Sequence, residues 1–151
     1  YEPRTRSNDR RTQETSPVNP SLPFPTPPTG SRRTLPVTRR SLTHKFSVAG
    51  HEGYLTVGLH EDGAPGEIFL KIAKEGSAIS GMCQAFCRAF SLALQHGLSV
   101  RDAVDRFKGM RFDPMGHTSN PQIPEASSIV DYIARYIDLQ FGETDGRDTA
   151  A

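Results

Sequence analysis

Hydrophobic and polar residues alternate in three successive stretches near the middle of the chain. In the first stretch, Leu42, Phe46 and Val48 fall on one face of an extended backbone, and Thr43 and Lys45 fall on the other. Alternating stretches are found at residues 41–48, 54–59 and 67–72, and turn-forming residues lie between them at 49–53 and 61–66. This pattern predicts an antiparallel meander of three strands.

The hydrophobic period then lengthens to that of an amphipathic helix. The apolar stripe of the first helix consists of Ile79, Met82, Cys83, Phe86, Phe90, Ala93 and Leu94. We expect Ser77 to cap this helix and Gly97 to end it. A second helix is predicted from Ser99, with Asp102 in a capping-box arrangement, to Gly109. The buried stripe of a third helix is predicted at Ile129, Tyr132, Ile133, Tyr136 and Ile137. The predicted class is α+β, with about three helices packed on the meander.

Composition divides the chain into a tail and a body. Eight of the twelve prolines and eight of the eighteen Lys and Arg residues lie in the first forty residues, together with three acidic residues. Such a stretch has too little apolar surface to offset the entropy of ordering. We therefore expect a disordered linker at 1–38, an α+β domain at 39–141 and a flexible tail at 142–151. Alternatively, the proline cluster at 23–28 is a ligand for a proline-binding domain.

Charge and hydropathy narrow the class of protein. Phe24 is the single aromatic residue between the arginine pairs of the tail, which is too few to form a stacking platform, so we expect no specific binding of nucleic acid. No apolar run approaches the roughly 20 residues of a membrane-spanning helix, and the N-terminus lacks the apolar core of a signal peptide. The sequence predicts a cytoplasmic protein. Its first residue is Tyr1 and not Met, which indicates a piece of a longer reading frame or a processed chain.

Two cysteines are candidates for redox or metal chemistry. Cys83 and Cys87 are four residues apart, on the same face of the first predicted helix. That spacing suits a redox pair or half of a metal site. Both also fall within the apolar stripe, and a free cysteine is commonly a buried apolar residue. The favoured interpretation is core packing.

Histidines give two further candidates. His51 and Glu52 could hold a metal through imidazole and carboxylate, although such pairs beside turn glycines are usually solvated. His44 shares a strand face with Leu42 and Phe46, which favours a partly buried imidazole that takes part in a hydrogen bond.

A candidate anion site lies between the last strand and the first helix. Lys74, Glu75, Gly76 and Ser77 form a turn whose free backbone N–H groups and helix dipole suit a phosphate or nucleotide. The sequence contains no Walker motif, and an ordinary capped turn is the alternative.

Motifs in a fixed order carry a resemblance to a known family. They lie at 33–36, 39–54, 56–59, 61–63, 65–69, 74–77, 91–95, 111–114, 120–121 and 128–133. The body resembles the region downstream of the catalytic barrel in vitamin B12-dependent ribonucleotide reductases, which is assigned to the TSCPD domain family. One departure is that Ser128-Ile129-Val130-Asp131 stands where that family has Ser-Cys-Pro-Asp.

The resemblance implies an accessory domain of an enzyme that reduces ribonucleotides. Adenosylcobalamin, the radical-bearing cysteine and the nucleotide site would then belong to the upstream barrel, as partner in cis or in trans. No catalytic residue is expected on this chain. The alternative is a stand-alone module that binds a nucleotide or another anion at 74–77.

Overall fold

A computed structural model describes residues 32–142. In chain order its elements are β1 (Ser41–Val48), β2 (His51–Leu59), β3 (Pro65–Ile72), α1 (Ser77–Gln95), α2 (Val100–Phe107), β4 (Gly116–His117), β5 (Glu125–Ala126) and α3 (Ile129–Phe141). The strands β1, β2 and β3 form one antiparallel sheet in that order. The α+β class, the three-stranded meander and the three helices are confirmed.

The segment before β1 is already attached to the body. The backbone N–H of Arg33 donates to the carbonyl oxygen of Gln95 at 2.7 Å. Arg32 donates from Nε to Oε1 of the same glutamine at 2.9 Å. These bonds tie the chain to the C-terminal end of α1 ahead of the domain start predicted at residue 39. Most of the predicted linker, and the predicted tail after residue 142, lie outside the described residues.

The first hairpin turns more tightly than its sequence indicated. Ala49 and Gly50 form the whole turn, and both have a positive φ, at 50° and 82°. Two central residues of this kind match the right-handed twist of the flanking strands. The predicted turn at 49–53 is therefore too long, and His51 to Gly53 belong to β2. Gly53 lies opposite Phe46, and a Cβ there would come within 2.8 Å of the phenyl ring.

One face of the sheet forms the floor of the core. Phe46, Val48, Leu55, Val57 and Ile68 are all buried on it. Each such side chain stabilises the fold by roughly 1.5–3 kcal/mol through removal from water. Helix α1 packs on β3, and α2 packs on α3. On the β1 side, the ring of Tyr132 from α3 stacks on Phe46 with centroids 4.7 Å apart.

Helix boundaries follow local signals, and two of them, at Ser99 and Gly97, were predicted. Ser99 accepts a hydrogen bond from the backbone N–H of Asp102 at 3.1 Å, as the capping pattern predicted. Gly97 has a φ of 101° and ends α1 in a Schellman motif. Its N–H donates to Leu94 O, and that of Leu98 donates to Ala93 O. Ser128 caps α3 by accepting from Asp131 N.

The connection from α2 to α3 contains structure that no periodicity indicated. β4 and β5 pair in an antiparallel ladder of two residues each. Val48 forms an isolated bridge with Thr118, and Ala49 donates to the carbonyl of His117 at 2.8 Å. The loop is thereby fixed along the end of β1. Within residues 32–142, no helix combines the length and the apolar character that spanning a bilayer requires.

Candidate functional site

An open apolar groove lies where α1, β3 and the α2–α3 loop meet, and its volume is about 840 Å³. Helix α1 contributes Ile79, Met82 and Phe86 to the lining, β3 contributes Leu70 and Ile72, and the loop contributes Met110, Phe112 and Met115. All three methionines of the chain lie here. A concave apolar surface of this size is typical of a binding site and not of a surface that contacts only water.

The groove exists because the apolar stripe of α1 continues past the edge of the core. Toward the C-terminal end of the helix, Cys87, Phe90 and Leu94 are buried. Toward the N-terminal end, Ile79 is 50% exposed and Met82 is 72% exposed. The prediction that the whole stripe packs inward is wrong for these two residues. They follow the correct helical period, but no described element lies over them.

The two cysteines lie in different surroundings. Cys87 is buried in the core, and this burial raises the pKa of its thiol to about 12. Cys83 is only half-buried and lies in the groove lining. Partial burial, with the nearby Glu75 carboxylate, raises the pKa of the Cys83 thiol as well. Core packing is confirmed for Cys87 but is wrong for Cys83, which is only partly covered in the groove lining. Both thiols are held in the protonated, poorly nucleophilic form.

The candidate anion turn forms the approach to α1. Lys74 has a φ of 60°, and Gly76 is the N-cap, with no side-chain hydrogen bond to the first turn. Ser77 is the first helical residue, so the prediction that it caps α1 is wrong. The first turn of α1 contains no acidic residue. Glu75, however, places a carboxylate beside the turn and lines the groove. The turn as an anion site stays a prediction.

The candidate metal ligands are separated by the pleat of β2. Neighbouring residues in a strand point to opposite faces, so His51 and Glu52 do not share one. The imidazole Nδ1 of His51 lies 2.7 Å from Oε1 of Glu75. Among residues 32–142, no group of three or more His, Cys, Asp or Glu side chains could hold a metal. A metal bound through His51 and Glu52 stays a prediction that elemental analysis would test.

A hydrogen-bonded aromatic cluster surrounds His44. Its Nε2 lies 2.7 Å from the hydroxyl of Tyr132, which also accepts a bond from Asn120 Nδ2 at 3.2 Å. The imidazole stacks on Tyr136 with centroids 4.2 Å apart. Burial lowers the pKa of His44, so the neutral imidazole is favoured. The expected partly buried, hydrogen-bonded histidine is confirmed, and it connects β1 with α3.

Asp131 is a buried carboxylate that accepts three hydrogen bonds. It is 0% exposed and accepts bonds from Gly109 N at 2.6 Å, Ser127 N at 3.0 Å and Arg135 Nε at 3.0 Å. Burial raises the pKa of this carboxyl, but the three donors outweigh it and hold the pKa below its ordinary value. No local pattern in the sequence indicates the bond from the Gly109 N–H, at the end of α2, to Asp131.

The sequence matches the TSCPD domain over residues 25–141. The vitamin B12-dependent ribonucleotide reductase of Rhodopirellula baltica is 56% identical over 110 residues, which are 73% of this chain and 11% of that protein. The same-named protein of Streptomyces avermitilis is 44% identical over 110 residues, again 73% of this chain and 11% of the relative. No solved structure matches the chain.

A third relative sets the scale of the match. In the vitamin B12-dependent ribonucleotide reductase of Streptantibioticus cattleyicolor, 44% identity extends over 73% of this chain and 18% of that protein. The chain thus covers between 11% and 18% of the length of these relatives. The resemblance stated from the sequence motifs is confirmed, and the chain belongs to the TSCPD domain family.

Proposed function

We propose that this chain is an accessory domain of a vitamin B12-dependent ribonucleotide reductase and does not carry the chemistry itself. The observation that carries the proposal is the match of 110 residues to about a tenth of a reductase. That segment forms its own buried core from three strands and three helices. The domain would act in assembly, substrate delivery or re-reduction of the enzyme.

The chemistry of the described residues agrees with a non-catalytic role. Radical and redox steps of such an enzyme need accessible thiols, whereas Cys87 is buried and has a pKa of about 12. Cys83 faces an apolar groove and has a raised pKa. We assign adenosylcobalamin and the substrate nucleotide to the remainder of the enzyme. A cytoplasmic location is part of this proposal.

A reconstitution experiment tests the accessory role. The Rhodopirellula baltica reductase is prepared without its matched region, and its folding is checked by thermal unfolding. We expect low turnover that rises several-fold when this chain is added, toward that of the full-length enzyme. If the truncated enzyme already turns over at the full rate, or the chain neither binds it nor changes its rate, the proposal is wrong.

The second candidate is a nucleotide or anion module at the 74–77 turn. In its favour, Gly76 leaves the first-turn N–H groups of α1 without a side-chain cap, and Lys74 is exposed beside them. A ligand that binds only the folded state raises the melting temperature by mass action. We expect a rise with millimolar nucleotide or inorganic phosphate that Lys74→Ala abolishes and Lys108→Ala leaves intact. No rise with either ligand removes this candidate.

A further inference from the structure

We propose that the groove between α1 and residues 110–115 receives an amphipathic helical segment from the catalytic part of the reductase. This inference rests on the accessory function proposed above, and it names the surface and the kind of partner.

The N-terminal half of α1 has apolar residues like those of the core, but these residues are exposed. Ile79 and Met82 continue the stripe that is buried at Phe90 and Leu94. Met110, Phe112 and Met115 bring three more exposed apolar side chains to the same groove. Single exposed apolar residues are ordinary, but five around one concavity mark an interaction site.

The methionines indicate an adaptable apolar partner surface. All three lie in the lining, although the chain has other partly exposed apolar positions, such as Leu92 and Leu139. Unbranched thioether side chains adjust to irregular surfaces, and Met-rich grooves suit the apolar face of a helix. A rigid small ligand would instead be matched by several placed polar groups.

The dimensions and the charge define the partner further. The wall from Ala78 to Phe86 covers about 12 Å at 1.5 Å per residue, or roughly two helical turns. The lining contains the carboxylates of Asp113 and of Glu75, which lies against His51, but no lysine or arginine. Charge complementarity therefore favours a segment that presents apolar residues at i, i+3 or i+4, and i+7, with basic residues where it leaves the groove.

The length of the relatives points to the source of this segment. The matched region is 11% of the Rhodopirellula baltica and Streptomyces avermitilis proteins. Most of each relative therefore lies outside the matched region and is available to contact it. Domains of one chain commonly bury part of their surface against one another, and an exposed apolar patch is the part that gains most from burial. A second copy of this chain and a free apolar molecule are the competing occupants.

Methionine oxidation tests occupancy with groups that the chain already contains. A chimera is made in which residues 32–142 of this chain replace the matched region of the Rhodopirellula baltica reductase. Hydrogen peroxide converts exposed methionine to the sulfoxide, which mass spectrometry follows peptide by peptide. We expect Met82, Met110 and Met115 to oxidise readily in the isolated chain and about tenfold more slowly in the chimera, since helix docking excludes water from an apolar contact.

The matched control is Leu139→Met, which places a methionine on α3 at a position that is 47% exposed and lies outside the groove lining. Its oxidation rate should be similar in the isolated chain and in the chimera. Equal rates for the groove methionines in both settings, or equal protection at position 139, would overturn the proposal. Protection that depends on the concentration of the isolated chain would identify a second copy as the occupant and would also overturn it.

Turnover separates failure of the inference from failure of the accessory function. In the chimera we expect Met82→Asp to lower turnover about tenfold, as loss of an interface anchor does, and Leu139→Asp to leave it within about twofold. A photo-crosslinker at position 82 should capture one amphipathic segment of the catalytic part. An active chimera in which Met82→Asp has no effect contradicts the groove assignment alone. A chimera no more active than the deleted enzyme contradicts both proposals.

Discussion

At the scale of single residues, two side chains connect elements that are distant along the sequence. Asp131 joins the start of α3 to the backbone N–H of Gly109 after α2. His44 joins β1 to Tyr132 of α3. Both are polar groups in largely apolar surroundings, where an unpaired partner would cost about 1–3 kcal/mol. They therefore hold the layers in a single arrangement as well as adding stability.

Asp131→Asn should lower the free energy of unfolding by about 1–3 kcal/mol, because an amide replaces a charged acceptor of three hydrogen bonds. The pKa of Asp131 is lowered in the folded state. Its contribution is therefore present above the unfolded pKa of about 3.9 and is lost as the pH falls toward the folded pKa. Denaturant unfolding from pH 7 to pH 2 measures both effects, and the variant should lose less stability than the parent below about pH 4.

Asp105→Asn is the matched control for this change. Asp105 is an exposed residue of α2, and its replacement should stay within about 0.5 kcal/mol of the parent. An equal cost for the two variants would show that Asp131 contributes through general charge and not through its bonds.

His44 should make the domain less stable in mildly acidic solution. Burial lowers the folded pKa of His44, so the unfolded chain, with a histidine pKa near 6.5, binds the proton more readily. The free energy of unfolding therefore falls as the pH drops below about 6.5. His44→Gln should show a smaller fall between pH 7 and 5. Part of the fall should persist, since burial also lowers the pKa of His60. An unchanged pH profile would contradict the assignment.

At the scale of elements, the starts of the three helices show which sequence pattern predicts an N-cap. Ser99 and Ser128 each cap a helix, and in both cases an aspartate follows three residues later. No acidic residue follows Ser77 within the first turn, and the helix begins one residue earlier than a serine cap would place it. A serine followed three residues later by an aspartate therefore marks the start of a helix here, whereas a serine that merely follows a glycine does not.

The two kinds of serine should respond differently to removal of the hydroxyl. Ser99→Ala should lower the free energy of unfolding by about 1 kcal/mol, because the N–H of Asp102 loses its acceptor. Ser77→Ala should change it by less than about 0.5 kcal/mol, since alanine is a good helix former and no cap bond is lost. Thermal and urea unfolding of the two variants make the comparison. A larger loss for Ser77→Ala would contradict the assigned start of α1.

At the scale of the whole molecule, α1 serves both the core and the groove. Its C-terminal part closes the core over β3 with Cys87, Phe90 and Leu94. Its N-terminal part leaves Ile79 and Met82 exposed. The same apolar stripe therefore has two parts. The C-terminal part stabilises the isolated domain, and we propose that the N-terminal part stabilises a complex.

Truncation of the stripe at its two ends should separate these roles. Phe90→Ala removes a buried ring and should lower the free energy of unfolding by about 3–5 kcal/mol. Met82→Ala removes a mostly exposed side chain and should cost less than about 1 kcal/mol in the isolated chain. Denaturant titration of both variants measures the difference. Similar losses would show that the N-terminal part of α1 is already packed.

The three long strands and the three helices were predicted from the spacing of their apolar residues. The errors lie where the structure depends on contacts with residues distant in the sequence. The meander was predicted because Phe46, Val48, Leu55 and Val57 alternate with polar residues. The short strands β4 and β5 have only two residues each, so neither contains a period to detect. Their pairing depends on where the end of β1 lies in the tertiary structure, and the local sequence does not specify that position.

The sequence by itself determined the α+β class, the order of the three long strands and the three helices, the helix caps at Ser99 and Gly97, and the family, because periodicity, capping spacing and motif order are local or linear properties. Tertiary structure alone decided which part of the α1 stripe is covered, that His51 meets Glu75, and that Asp131 joins α2 to α3. These facts depend on which surfaces meet in three dimensions. An apolar period states which face of a helix avoids water, but not how far along that face the rest of the molecule extends.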